Sequence, residues 1–349
     1  MHWLSCVALP GAYRASRPRQ EQNTGSQNPV ARSGRWPLTA RVFASRSNAA
    51  IAAGLISAVV FWGANNVGVK FLVQSWQPFW IGSSRMYCVG AIMLALLRFT
   101  DWLGPSSPLT PALRRSLWWQ GGFTLAIYVV VFNWSLKFTS ASHVALCLGT
   151  APIWALLWEG VPGLSWTTVR RYSAAALACG GLFVLVWPKL HSGHGDWRGD
   201  FLAIGASLLW TIYSRRCRVL GATLSGTELT AHTMWRAATW LAPFAALELW
   251  QGGLPWTWQL VGIQTYCALF GGVISFALYN NALRHWPTSQ VFLFSNLIPV
   301  TTMTWAWLLI GEPMTATFWT AMLMIVGGVV LGQWPWRRKQ AVEMPIPNE

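Results

Sequence analysis

Residues 132–158, FNWSLKFTSASHVALCLGTAPIWALLW, align without a gap with residues 279–305, YNNALRHWPTSQVFLFSNLIPVTTMTW. The alignment continues to residues 188 and 335, with about 13 identical residues in 57 aligned positions. The prolines Pro152 and Pro299 and the asparagines Asn133 and Asn280 are among the matched positions. Because internal repeats reveal architecture before any other signal, the chain is expected to consist of two related halves.

The composition is that of a membrane protein. Hydrophobic residues make up 54% of the 349 residues, charged residues only 10%, and there are 26 tryptophans. Soluble domains carry roughly 25% charged residues, and disorder requires low hydrophobicity. Tryptophan concentrates where lipid meets water. The composition therefore excludes a water-soluble enzyme and predicts an all-α, polytopic membrane protein.

Apolar segments of about 20 residues, the length that crosses the hydrocarbon core as a helix, recur along the chain. We predict ten transmembrane helices, at 50–72, 78–98, 116–136, 139–158, 170–188, 200–220, 228–250, 259–283, 287–311 and 317–334.

The basic residues orient these spans. The net charge of +15 is dispersed between apolar runs and forms no single patch, so nucleic-acid binding is not expected. With the N-terminus inside, nineteen of the 25 basic residues fall on the inner side, four on the outer side, and two within spans. The positive-inside rule therefore predicts a multi-pass protein of the bacterial inner membrane with both termini cytoplasmic.

Four regions follow from this reading. Residues 1–48 form a basic, disordered arm, residues 49–190 and 199–336 form the five-helix halves, and residues 337–349 form a cytoplasmic tail. Because five is odd, the second half enters the membrane from the opposite side. Such an inverted repeat is typical of secondary transporters, whose substrate site lies near the midplane between the halves.

Several short motifs identify a family. They are FWGANNVGVK at 61–70, Arg85 seven residues after Pro78, Pro152 and Pro299, Gly311-Glu312, and the pairs Gly180-Gly181 and Gly327-Gly328. With these motifs the sequence resembles the EamA-type exporters of the drug/metabolite transporter superfamily. The resemblance implies ten helices in two repeats and export of small metabolites, such as amino acids, or of drugs. One departure is Ser165, which stands where the second half has Glu312, with Glu159 six residues earlier.

Polar residues inside the spans are the candidates for the substrate site, because an ionisable group at the bilayer centre costs at least ~2.5–3.5 kcal/mol. Arg85 and Arg236 would face a central cavity and hold a carboxylate; alternatively, each caps backbone carbonyls or fixes helix packing. Core packing is the alternative for the two tryptophans among the other cavity candidates, and the joining of helices is the alternative for Asn133 and Asn280. These other candidates are Trp62, Asn66, Asn133, Trp210, Tyr279 and Asn280.

Two further groups of candidates concern coupling and motion. Glu228 and His232 share one helix face with Arg236 and could relay a proton, since histidine titrates near neutral pH. His143 and Glu159 are rival proton-coupling sites; the simpler interpretations are a helix-start acid for Glu228 and a core histidine for His143. Pro152 and Pro299 are candidate hinges or, alternatively, static kinks.

No catalytic or nucleotide-binding motif is present, and the six cysteines show no metal spacing. We therefore predict a non-enzyme without cofactor or metal, whose partners are a small-molecule substrate and the lipid bilayer; the oligomeric state stays open.

The predicted function is a secondary transporter that exports a small metabolite, an amino acid or similar zwitterion, by alternating access, with proton antiport as a hypothesis. The alternatives are an exporter of drugs or hydrophobic cations and, more distantly, a membrane enzyme or sensor.

Overall fold

Helix follows helix along the chain, and the computed structural model shows no strand in the residues it describes, 38–99, 108–158, 166–192, 197–221, 223–285, 294–295 and 297–333. The two longest composite helices each contain a π-helical turn: α3 joins Pro111–Ser116, Leu117–Phe123 and Thr124–Phe138, and α9 joins Trp258–Tyr266, Cys267–Ile274 and Ser275–His285. The others are α1 Leu38–Leu72, α2 Pro78–Phe99, α4 Ala141–Leu148, α5 Ala151–Trp158, α6 Trp166–Ser192, α7 Trp197–Leu220, α8 Gly226–Gly252, α10 Ile298–Ile310 and α11 Ala316–Gln333.

The all-α class is confirmed, and the described helices overlap the predicted spans, although residues 287–293 and 296 of the ninth span lie outside the described residues. The backbone from Leu38 to Asn48 is helical, whereas the sequence predicts a disordered arm there; the rest of the arm, residues 1–37, lies outside the described residues. By length and composition, four described helical stretches can cross a membrane, and three shorter apolar stretches accompany them. The four are Asn48–Leu72, Pro78–Phe99, Pro111–Phe138 and Trp258–Ala282.

The fourth predicted span is not one helix. It is broken at Gly149 and Thr150, and the chain restarts as α5 with Pro152 in second position, where the missing N–H of proline costs nothing. Pro299 stands at the same position of α10. Both prolines therefore stand in the first turn of a described helix, and their role as hinges stays a prediction. A Cβ on Gly149 would lie 3.3 Å from Cγ of Pro299, so the two breaks meet.

The π-helical turns of α3 and α9 occur at equivalent places in the two halves. Each contains a glycine pair, Gly121-Gly122 in one and Gly271-Gly272 in the other. A Cβ on Gly122 would meet Cβ of Arg236 in α8, and a Cβ on Gly272 would meet the side chain of Val89 in α2. Because Gly122 and Gly272 have no side chain, the third helix of each half can pack closely on the second helix of the other.

Glycine also brings α6 and α11 into close contact. A Cβ on Gly181 would lie 2.9 Å from the carbonyl oxygen of Ala321, and one on Gly328 would lie 2.7 Å from the carbonyl oxygen of Ala174. Small residues are the usual means of close helix approach in membranes. The predicted packing role of these glycine pairs therefore agrees with the structure at Gly181 and Gly328.

We expect Gly328→Ala to destabilise the protein, because the added methyl group must displace backbone atoms of α6; overpacking costs about 1–3 kcal/mol. The neighbouring Gly327 is a matched control, since a Cβ added there would have its nearest neighbour 3.9 Å away. Gly327→Ala should leave stability unchanged or raise it, because alanine favours helix by roughly 0.5–1 kcal/mol over glycine. Thermal unfolding in detergent compares the two; equal Tm values would contradict the proposed tight contact.

Candidate functional site

Arg85 is buried in the middle of α2, with 5% of its side chain exposed. Its Nη1 donates one long hydrogen bond, 3.3 Å, to Oδ1 of Asn65, while its Nε has no hydrogen-bond partner among the described residues. The Tyr128 hydroxyl and the Cys267 thiol lie within electrostatic reach of the guanidinium. Because a guanidinium offers five N–H donors, Arg85 retains capacity to bind a further acceptor.

Two groups of aromatic side chains are linked to Arg85 through its neighbours. On one side Asn65, the hydrogen-bond partner of Arg85, lies against Gly271. Trp62 donates from Nε1 to the carbonyl oxygen of Gly271 (2.9 Å), and its ring packs edge-on against Phe276 and Tyr279 at 5.4 and 5.3 Å. On the other side the ring of Trp210 lies 5.0 Å from that of Tyr128, the residue beside Arg85. We call Trp62, Arg85, Tyr128, Trp210 and Tyr279 the Arg85 site.

The predicted asparagines hold helices together. Nδ2 of Asn66 donates to Oγ1 of Thr302 (3.0 Å), and Nδ2 of the fully buried Asn133 donates to the carbonyl oxygen of Pro78 at the start of α2 (2.8 Å). Asn280 lies against Gly226 at the start of α8, where a Cβ would be 2.7 Å from its Oδ1. These contacts join separate helices, and we leave the three amides out of the Arg85 site.

Arg236 contacts other residues than those of the Arg85 site. Its Nη1 donates to the carbonyl oxygen of His232 (2.8 Å), and its guanidinium carbon lies 4.3 Å and 5.6 Å from the ring centroids of Trp235 and Trp118. A carbonyl and two indole faces therefore contact this cation, while its Nε, like that of Arg85, has no hydrogen-bond partner among the described residues. Such contacts fit a packing role better than the binding of a carboxylate.

The Glu228 side chain serves the start of its helix. Its Oε2 accepts from the backbone N–H of Ser225 (2.8 Å), while the Ser225 hydroxyl accepts from the N–H of Glu228, which completes a capping box. Nδ1 of His232 is buried without a hydrogen-bond partner among the described atoms. Glu159, the other acidic candidate for coupling, lies outside the described residues.

His143 has a partner that sequence reasoning missed. Its Nδ1 lies 3.1 Å from Oδ1 of Asp200, a fully buried carboxylate that also accepts from the hydroxyl of Thr139 (2.7 Å). Nζ of Lys70 donates to the carbonyl oxygens of Leu136 and Thr139, both at 2.8 Å. The sequence offered one signal for this partner, because Asp200 is an acid in the first turn of an apolar helix. Such an acid is common at helix starts and does not by itself indicate a buried pair. We call the end of the helices at which Lys70, Thr139, His143 and Asp200 lie the Lys70 end.

Two glutamates of the second half bind helix starts of the first half at the Lys70 end. Glu312 follows Gly311, which ends α10 in the left-handed conformation (φ 67°), and accepts from the N–H groups of Ala141 and Ser142 (2.8 and 3.2 Å) and from the Ser142 hydroxyl (2.6 Å). Glu248 of α8 accepts from the N–H groups of Phe79 and Trp80. A carboxylate at a helix N-terminus satisfies free N–H groups and the helix dipole together. We call the contact of Glu312 with Ala141 and Ser142 the Glu312 latch.

Apolar helices that enclose a buried arginine and two rows of aromatic rings are those of a polytopic membrane protein. The sequence profile of the EamA-like transporter family matches residues 49–187 and again residues 197–332. The chain belongs to this family.

Individual relatives are distant but cover most of both chains. An uncharacterized transporter of Archaeoglobus fulgidus is 22% identical over 78% of this chain and 91% of its own length, and the inner membrane transporter YedA of Escherichia coli K12 is 25% identical over 79% and 88%. A probable amino-acid metabolite efflux pump of E. coli K12 is 21% identical over 82% and 95%. One crystal structure, 17% identical, shares the fold with a TM-score of 0.55 over 81% of this chain and 96% of that one. The names of these relatives accord with a membrane transporter rather than an enzyme.

Proposed function

We propose that the protein is a secondary transporter that exports a small metabolite, an amino acid or a similar zwitterion, by alternating access around the Arg85 site. The observation that carries the proposal is Arg85 itself. A buried cation with one long hydrogen bond and an unpartnered Nε in the described structure is costly unless something compensates it. A substrate carboxylate would supply the missing acceptors.

The architecture we propose is ten spans in two inverted five-helix repeats. Contacts that recur at one sequence offset support it. The pair Trp62–Phe276 corresponds to the pair Trp210–Tyr128, and each joins the first helix of one half to the third helix of the other. The two matches of the family profile, the twin π-helical turns and the twin breaks at Pro152 and Pro299 follow the same division. Exchange of conformation between the halves then converts one state into the other.

We also propose the orientation given by the positive-inside rule: a bacterial inner membrane protein with both termini cytoplasmic. The Lys70 end, with Glu248 and Glu312, then faces outward. Both glutamates bind helix starts there, and these contacts support a closed outer end in this state. This is the state in which an exporter would take substrate from the cytoplasm.

The Arg85 site suits a zwitterion. Arg85 would bind the carboxylate through paired N–H donors, the geometry that a guanidinium offers to a carboxylate. The ring faces of Trp62 or Trp210 would then receive the ammonium group, because a cation within about 6 Å of an indole face is attracted to it. An exporter of hydrophobic cations is the second candidate, favoured by the same rings and disfavoured by the buried charge of Arg85.

Counterflow in proteoliposomes tests the substrate class. Vesicles are preloaded with a pool of unlabelled amino acids, and each labelled amino acid or a labelled cationic dye is offered outside. We expect transient accumulation of at least one class of amino acid and none of the dye. Accumulation of the dye alone would replace the proposal by the cation exporter, and accumulation of neither would refute both.

A further inference from the structure

His143 and Asp200 stand beside a small polar pocket at the Lys70 end. The pocket has a volume of about 160 Å³ and is lined by Ser140, Ser142, His143, Glu312, Pro313, Thr315 and Phe318. The His143 side chain is 19% exposed, whereas that of Asp200 is 0% exposed. An imidazole that water can reach therefore covers a carboxylate that water cannot reach.

The described residues around this pair include few other charges. From α1 comes Lys70, which donates to the carbonyl oxygens of Leu136 and Thr139. In addition to Asp200, α7 contributes Arg198, which is exposed. The chain between α10 and α11 contributes Glu312, and α11 contributes only the ring of Phe318, stacked on the imidazole with centroids 6.5 Å apart. A proton on His143 would thus lie beside one carboxylate and share the pocket with a second.

The same helix turn links this pair to the Glu312 latch. His143 directly follows Ser142, whose N–H and hydroxyl bind Glu312, and the N–H of His143 is itself capped by the Ser140 hydroxyl. While the latch is closed, a charged imidazole has both Asp200 and Glu312 nearby. When the latch opens, Glu312 moves away and that attraction weakens.

We propose that His143 and Asp200 form a proton-binding site that controls the outer gate, an inference that rests on the proposed orientation and transport function. A proton passes from water in the pocket to the imidazole nitrogen that faces away from Asp200, and Asp200 stays ionised. The charged imidazole has both Asp200 and Glu312 nearby only while the latch is closed, so by linkage protonation stabilises the closed state. Lower external pH favours the closed outer end, and higher external pH releases it.

The test is exchange of the labelled amino-acid pool in right-side-out vesicles with the internal pH held constant. Between external pH of about 7.5 and about 5.5, the range in which histidine titrates, we expect the wild-type rate to fall by up to roughly tenfold. Asp200→Asn and His143→Gln should each make the rate nearly independent of external pH. The matched control is His232→Gln, which removes a histidine of α8 outside the pocket and should keep the wild-type pH response.

Each other outcome overturns the proposal. A wild-type rate that is flat or that rises on acidification would do so, since neither result fits a proton that stabilises the closed outer end. Retention of the pH response in both Asp200→Asn and His143→Gln would do so as well. If no amino acid is exchanged, the proposed function fails separately. The gate is then followed by the rate at which an impermeant maleimide labels Cys267, which needs no substrate and should show the same pH dependence.

Discussion

Arg85→Met is expected to abolish counterflow, lowering the rate by more than about a hundredfold. Removal of one partner of a buried charge pair costs about 2–5 kcal/mol, and about 1.4 kcal/mol is a factor of ten in affinity. Arg85→Lys should recover only part of the rate, because an ammonium group keeps the charge but cannot bind a carboxylate with a planar fork. Counterflow at saturating and at low substrate concentration would show that binding is the step that is lost.

Arg236→Met is the matched control, since it removes a second buried arginine from the neighbouring α8. Arg236 already contacts the His232 carbonyl and two indole rings. We therefore expect Arg236→Met to lower Tm more than Arg85→Met does, and to slow exchange less than Arg85→Met does. Arg85→Met should show the reverse order, because its guanidinium has only one long hydrogen bond, 3.3 Å, and makes no cation–π contact in the described structure. Full exchange by Arg85→Met in a folded protein would remove Arg85 from the substrate site.

Glu312→Ala is expected to be the second most damaging change. It removes the acceptor of three hydrogen bonds that join the second half to the start of α4. Hydrogen bonds to charged groups contribute about 1.5–3 kcal/mol each, and even one such bond shifts a two-state equilibrium about tenfold. The outer end would then stay open, and exchange should slow by at least about tenfold because the transporter cannot return to the inward-facing state.

Glu312→Gln separates the charge from the hydrogen bonds. The amide oxygen can still accept from Ala141, so we expect an exchange rate between those of wild type and Glu312→Ala. Ser142→Ala removes only the shortest of the three bonds and should have a smaller effect than Glu312→Ala. Unchanged exchange in Glu312→Ala, with an unchanged Tm, would show that the latch plays no part in transport.

Sequence reasoning predicted the helical class, the family and the buried cation, because hydropathy and charge report directly on the cost of placing a side chain in lipid. It could not distinguish the environments of Arg85 and Arg236. Both are single charges in apolar helices, and only the packing shows that Arg236 contacts two indole faces and a carbonyl while Arg85 has one long hydrogen bond to Asn65.

Contacts between distant segments were beyond sequence reasoning for the same reason. Asp200 is an unremarkable first-turn acid until the fold places it beside His143. The breaks before Pro152 and Pro299 could not be told from kinks, because a proline that starts a helix and a proline that bends one look alike in an apolar run. Glu312 was noticed through the family motif, but its binding to α4 depends on how the two halves pack.

The central claim is that one site opens alternately to the two sides of the membrane, and Cys267 can report it. This cysteine is fully buried, and its thiol lies near Arg85. In a variant that keeps Cys267 and lacks the other five cysteines, an impermeant maleimide is applied to right-side-out and to inverted vesicles. We predict that Glu312→Ala raises labelling from outside and lowers labelling from inside by comparable factors. Labelling that rises from both sides, or that does not change from either side, would contradict alternating access around this site.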